Sequence, residues 1–346
     1  MKLLTNRETR VNKLIAVSIL LLVLIIIPLI IKNPYILHTF IMAFIAIILG
    51  MGFSMIYSTG LITLGAAAFY GIGAYASTLL SMQLGLSFWV ALPLAIIVTG
   101  IIALGIGFIV VRAGTFVFVL LTMLFGLVVV QVAGSVRLFG GWGGITNIPR
   151  PSPIPIPFYG SVEFVSREPY YYLALFLLLL IVLIFYALYR SRIGRAWKAI
   201  KQSSRLAQSM GINVYRYRVL AFVVASCASG AIGSFYVHYY QVVLPDMASG
   251  FVSIYIQIYA ALGGLEFYLL GPAIGAVIMT FGFELLRIAE AYQPIIFGAL
   301  LIGIIIFFPG GILGTLQRAR QMPTLYTRLG ERIRAWLPWR VTKPGK

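Results

Sequence analysis

Few residues in this chain are of types that could make or break bonds, and their spacing narrows the chemistry further. Glu284, Arg287 and Glu290 stand at i, i+3 and i+6 of an apolar run, which places alternating charges on one helix face. Two readings fit that cluster: a structural ion pair near a membrane interface, or a polar step on a substrate path. His38 and His238 are the only histidines, and neither sits in an H-E-x-x-H or beside a cysteine cluster. No metal site is expected. The single Cys227 rules out a disulfide within the chain and reads as a packing residue among Ser226, Gly230 and Ser234. No G-x-x-x-x-G-K-[ST] occurs, so the chain itself is not expected to bind or hydrolyse ATP. No serine stands in a G-x-S-x-G turn with a histidine partner, and no nucleophile is indicated.

The elements that must carry these residues are membrane spans. The chain has 346 residues, 61% of them apolar or aromatic, with a mean hydropathy of +1.01. A bilayer crossing takes roughly 20 apolar residues, so this composition supplies about ten. The apolar runs fall near 14–31, 36–57, 61–82, 88–111, 116–133, 170–189, 219–240, 251–270, 271–284 and 294–308. The fold class expected is therefore all-α, a polytopic membrane protein of about ten transmembrane helices. The first run follows a basic flank, as in a signal peptide. Pro28, Lys32 and Asn33 stand where a small-residue cleavage site would lie, so it reads as an uncleaved anchor.

A formal net charge of +18 invites a nucleic-acid reading, which the position of the charges removes. The excess lies in three blocks, at residues 1–13, 190–218 and 318–346, and the chain between them is neutral. Basic loops beside apolar spans mark the cytoplasmic side. Ten crossings from an inside N-terminus put all three blocks there, with both termini cytoplasmic. We thus read 1–317 as a transmembrane domain and 318–346 as a basic cytoplasmic tail. In that tail Leu325, Leu329, Ile333 and Trp336 follow helical spacing between arginines, a pattern suited to lying on membrane lipid.

Two loops stand out. Residues 134–169 form the long outer loop, where a glycine cluster precedes Pro149, Pro151, Pro153, Pro155 and Pro157. Alternating prolines hold a chain extended, either as a spacer or as a docking surface for an external partner. Residues 190–218 hold eight basic residues and no acid. Within them Ala196, Ala199, Ile200, Ser203, Leu206, Ala207 and Met210 recur at helical spacing, predicting one amphipathic helix over 196–210 that stops at Gly211. Such a helix either rests on lipid headgroups or inserts into a groove of a partner.

Small residues at Gly65, Ala68, Gly71 and Gly73 predict close helix packing over 60–76. Gly65, Tyr70 and Gly71 are the candidates for a translocation path. Carboxylates that would couple transport to ions are scarce in the apolar runs, and related sequence halves are not evident.

Several stretches together carry a resemblance. Gly194-Arg-Ala-Trp-Lys-Ala-Ile, then Ala207-Gln-Ser-Met-Gly-Ile-Asn-Val-Tyr-Arg-Tyr-Arg, resembles the cytoplasmic loop of permeases of the branched-chain amino acid ABC importer family, in the longer of its two permease types. The run from Tyr57 to Ala76, Gly140-Gly-Trp-Gly-Gly-Ile-Thr-Asn-Ile-Pro-Arg-Pro, and Phe308-Pro-Gly-Gly-Ile-Leu-Gly are similar to the family's segments in the same order. The resemblance covers about residues 40–316. It implies half of a translocation channel for a branched-chain amino acid or similar small polar solute, in the inner membrane of a prokaryote. It implies no enzymatic activity and no cofactor in this chain, with ATP bound by two partner subunits. A second, non-identical permease subunit and an extracytoplasmic substrate-binding protein complete the expected assembly, with no nucleic acid. The implied ATPase-coupling loop comprises Gly194, Arg195, Ala196, Ala199, Ile200, Leu206, Ala207, Met210 and Gly211. A self-sufficient secondary transporter is the alternative.

Overall fold

The computed structural model describes residues 15, 18–19, 21–156, 160–286, 298, 302–303 and 310–317. It is helical where the sequence is apolar. Among the described residues its helices include α1 (Leu21–Ile30), α2 (Pro34–Tyr57), α3 (Ala66–Gln83), α4 (Phe88–Val110), α5 (Thr115–Ser135), α6 (Arg167–Arg190), α7 (Arg192–Gln202), α8 (Ser204–Ser209), α9 (Val214–Tyr240), α10 (Gly250–Gly263) and α11 (Leu270–Leu286). Five of them, α2, α4, α5, α6 and α9, are long and apolar enough to cross a bilayer. Capping residues place the starts: Asn33, with Pro34 at the first helical position, caps α2, and Asn213 caps α9 by accepting from Arg216 N–H at 3.1 Å.

Helices α2 and α9 form the centre, 89% and 72% buried over their apolar windows, whereas α4 and α5 are 28% and 22% buried. The outer helices turn Ile101, Phe108, Leu124, Leu127 and, on α6, Phe176 and Leu183 outward. Such large apolar side chains on the surface suit lipid, not water. The basic end of the bundle carries α7 and α8, and the loop end carries residues 136–166.

The centre is built on one plan used twice in opposite directions. Helices α2 and α9 are antiparallel, with His38 beside Tyr239 and Gly52 against Ala225. Helix α4 runs antiparallel along α9, matching Phe88 to His238, Thr99 to Gly230 and Gly107 to Phe222. In the same way α11 runs antiparallel along α2, matching Phe40 to Phe281 and Gly50 to Pro272. Helix α3 lies parallel to α9, with Ser77 on Ser234 and Ser81 on His238. Helix α10 runs antiparallel to α11, Gly263 against Gly271 and Tyr259 against Gly275, and is therefore parallel to α2.

Both α3 and α10 begin inside the bundle. Residues 61–65 run back from the basic end without helix before α3 starts, and residues 241–249 dip in from the loop end before α10 starts. The runs 61–82 and 251–270 are therefore not simple spans: α3 begins at Ala66 and α10 ends at Gly263. Each still leads the chain from one end to the other.

The outer loop is more than an extended spacer. It forms two 3-10 turns, a strand β1 (Ile145–Thr146) and a hairpin of β2 (Ile154–Ile156) with β3 (Gly160–Val162). After α9, β4 (Val242–Val243) pairs antiparallel with β1, Ile145 opposite Val243. Gly144, at φ +68°, permits this approach, since a Cβ there would strike the Val243 carbonyl. Within the expected ion pair, Glu284 lies on α11, while Arg287 and Glu290 fall outside the described residues. So do the tail 318–346, most of 294–308 and the basic segment 1–13.

Candidate functional site

At the basic end the chain makes a short helix pair instead of the single helix expected over 196–210. Ser203 adopts extended backbone (φ −159°, ψ 110°), ends α7 and caps α8, its side chain accepting from Leu206 N–H at 3.3 Å. Serine competes well for such a cap, and that local bond breaks the helix that periodicity alone predicts. Ser191 caps α7 by accepting from Ile193 N–H at 3.1 Å. Gly194 packs at the α6–α7 corner, where a Cβ would overlap the Tyr189 backbone. Gly211, at φ +80°, makes the turn into α9.

The two faces of this pair differ. Gly194, Ala196, Trp197, Ile200 and Ala207 face the bundle and are buried, Ala199 is partly buried, and Ile200, Ala207 and Val214 form a small apolar cluster. Arg195, Leu206, Met210 and Gly211 are exposed. Leu206 is 67% and Met210 78% exposed, and Arg195, Lys198 and Arg205 of the same helix pair are exposed too.

Several contacts tie the pair to the bundle beneath it. Trp197 is fully buried and donates from Nε1 to the Tyr217 carbonyl at 2.9 Å. Arg218 donates to the Thr59 carbonyl at 3.3 Å and to Ser204 Oγ at 3.0 Å. Lys201 lies 4.2 Å from the Tyr57 ring centroid and 3.4 Å from Glu266 Oε1. Tyr268, in the turn after α10, stacks on Tyr189 at 5.0 Å and receives Lys198 and Lys201 over its ring. Burial, then the nearby Glu266 and Tyr57, push the Tyr268 phenol above its usual pKa, so these lysines face a neutral ring. The pair is thus tied to the start of α9, the end of α2 and the α10–α11 turn together.

Those last two elements lead to the interior crossing. Gly65 packs on Thr122, seven residues into α5, about 10 Å along a helix of 1.5 Å rise. Ala248 meets Gly71 and Gly126 beside it. With no ladder available, the non-helical backbone takes its partners from side chains. Leu64 N–H donates to Thr122 Oγ1 and Ala67 N–H to Ser253 Oγ, both at 3.1 Å, and Gln257 donates to the Thr63 carbonyl at 3.3 Å. The starts of α3 and α10 therefore meet and diverge to opposite ends.

The path candidates gather around this crossing. Gly65 and Gly71 are buried, and Tyr70, 5% exposed, stands edge-on to Tyr236 at 5.6 Å. Thr63, Thr122, Ser253 and Gln257 were not singled out by sequence. A polar residue in an apolar run, next to glycine, was the available signal. Cys227 packs against Gly100 on α4. His238 holds Pro149 in the outer loop: Nδ1 donates to that carbonyl at 2.7 Å, which leaves Nε2 to accept from Ser77 at 3.0 Å.

Comparison with known proteins accords with this architecture. The family described as "Branched-chain amino acid transport system / permease component" matches residues 35–308. The high-affinity branched-chain amino acid transport system permease protein LivM of Salmonella typhimurium is 29% identical over 293 residues, covering 79% of this chain and 68% of the relative. LivM of Escherichia coli is 28% identical over 290 residues, covering 78% and 68%. The autoinducer 2 import system permease protein LsrD of Salmonella paratyphi B is 29% identical over 255 residues, covering 68% and 72%. No solved structure matches the chain. A match across both halves of the bundle, the crossing and the basic helix pair makes this multi-pass membrane protein a member of the branched-chain amino acid transport system permease family.

Proposed function

We propose that this chain is the permease subunit of an ABC importer for a branched-chain amino acid or a similar small polar solute, one half of a two-permease channel in the inner membrane. The observation that carries this reading is the family match over residues 35–308. ATP is bound and hydrolysed by two partner subunits on the cytoplasmic side, which is the basic end. They dock on α7 and α8, with Leu206 and Met210 as the apolar anchors and Arg195, Lys198 and Arg205 as the charged rim. Movement of the pair is handed through Trp197 to α9, and through Lys201 and Arg218 to the ends of α2 and α10, hence to the crossing where Gly65, Tyr70 and Gly71 lie. A substrate-binding protein delivers solute at the loop end.

The inverted plan of α2–α4 and α9–α11 is also found in self-sufficient secondary transporters, so it does not by itself separate the two classes. Reconstitution does. The chain in liposomes with its second permease and ATPase subunits should accumulate radiolabelled leucine only with ATP and the binding protein present. Uptake by the chain alone, driven by a proton or sodium gradient, would establish the secondary transporter instead.

A further inference from the structure

At the loop end a cavity of about 230 Å³ opens between α2, α6, α9 and the outer-loop segment around Arg150. Its chemistry has one sign. Arg150 and Arg167 line it, His38, Tyr170, Tyr239 and Tyr240 supply rings and hydroxyls, and no acidic side chain contributes to the wall. Among the described residues neither guanidinium forms an ion pair. Two cations on a wall whose own side chains include no carboxylate call for an anion; the nearby Glu168 carboxylate is taken up by Ser166, which donates to it at 2.7 Å.

The wall is also held in place. Arg167 donates from Nη1 to the Pro34 carbonyl at 2.6 Å, which fixes one guanidinium against the start of α2. The backbone leading to Arg150 is held three times. His238 Nδ1 donates to the Pro149 carbonyl at 2.7 Å, Ile148 N–H donates to the Gln241 carbonyl, and the Gln241 amide returns a bond to the Ile148 carbonyl, the last two at 3.3 Å. His38 shares hydrogen bonds with the Tyr239 and Tyr240 hydroxyls at 2.7 and 3.2 Å, which sets the aromatic side. Rigid placement of this kind lowers the ordering cost of binding.

We propose that this pocket binds one small oxyanion, a carboxylate or a phosphate, held by Arg150 and Arg167 and flanked by the three tyrosine rings. Its volume is below the roughly 300–1,000 Å³ of drug-sized sites, which limits the bound group to a small one. The oxyanion has two possible sources: the carboxylate of a small free solute at the loop end, or the phosphate of a phospholipid headgroup at the edge of the bundle.

The full-length chain in nanodiscs tests this in two arms. In phosphatidylcholine discs, calorimetry with L-leucine, leucinamide and inorganic phosphate reads free-solute binding. In discs containing phosphatidylglycerol, native mass spectrometry counts lipid retained per chain. One oxyanion per chain is expected in one arm, weakened about tenfold or more in Arg150→Gln and in Arg167→Gln, with unchanged melting. Leucine or phosphate binding without leucinamide binding assigns the free source, and one retained phosphatidylglycerol assigns the lipid. The proposal is overturned if wild type binds no oxyanion in either arm, if leucinamide binds measurably and as tightly as leucine, or if both variants match wild type. Each reading is of binding alone, so failure here would leave the transport reading intact.

Discussion

Trp197 donates its indole hydrogen to the carbonyl oxygen of Tyr217 at 2.9 Å, with the ring wholly buried between α7 and α9. One residue thereby fastens the surface helix pair to the first turn of the helix that crosses the centre of the bundle. A surface element that merely covered lipid would not need so deep an anchor.

Replacing that anchor should separate its two contributions. Trp197→Phe removes the hydrogen bond and keeps most of the ring; Trp197→Ala adds a cavity, at a cost of about 3–5 kcal/mol. We expect Trp197→Phe to insert normally and to lower uptake per inserted chain, and Trp197→Ala to lower the melting temperature in detergent as well. Equal uptake by Trp197→Phe and wild type would remove the lever role.

The ion pair beneath the helix pair should matter less than the cation it contains. Glu266 is 75% exposed, and exposed pairs are worth about 0–1 kcal/mol. Lys201 also sits over the Tyr57 ring. Glu266→Gln should therefore transport nearly as wild type, and Lys201→Ala should be clearly impaired, measured as leucine uptake at equal membrane abundance. The reverse order would show that the carboxylate, not the ring contact, carries the link.

At the crossing, Thr122→Val deprives Leu64 N–H of its acceptor, and an unmet buried donor costs about 1–3 kcal/mol. The variant should melt earlier than wild type by fluorescence-detected size exclusion. Unchanged melting would mean that the non-helical segment does not depend on this bond.

Glycines should divide by what surrounds them. A Cβ at Gly73 would overlap the Gly230 backbone, whereas nothing lies within 4 Å of one at Gly105. Gly73→Ala should reduce the amount of folded protein, and Gly105→Ala should leave it unchanged or raise it, since alanine favours helix by about 1 kcal/mol. Similar losses for both would show that helix packing is not the role of Gly73.

The apolar runs were legible as spans because lipid demands uninterrupted hydrophobicity, and α2, α4, α5, α6 and α9 follow the expected limits within a few residues. The starts of α3 and α10 were not. Leu61 to Gly65 is as apolar as a helix, and its break rests on partners distant in sequence, Thr122 and Gln257. The repeated plan was hidden for a related reason. Alanine-rich α3 packs tightly on α9, while its counterpart α10 carries the larger Ile254, Tyr255 and Ile258, so equivalent backbone places hold unlike side chains. In the basic loop helical spacing does not reveal which apolar residues turn inward and which outward: Ala196, Ile200 and Ala207 are buried, while Leu206 and Met210 are exposed. Ala207 packs on Ile200 and Val214 of its own chain, so bulk there would disturb this subunit before any partner.

The most direct test is of the outward pair. Leu206→Asp with Met210→Asp leaves every buried contact of α7 and α8 in place and removes only the exposed apolar anchors. Pull-down of the purified double variant with its ATPase subunits, alongside ATP-driven leucine uptake in proteoliposomes, is the measurement. The double variant should fold normally, bind its ATPase at least tenfold more weakly and fail to take up leucine. Full ATPase binding and full uptake by that variant would contradict it.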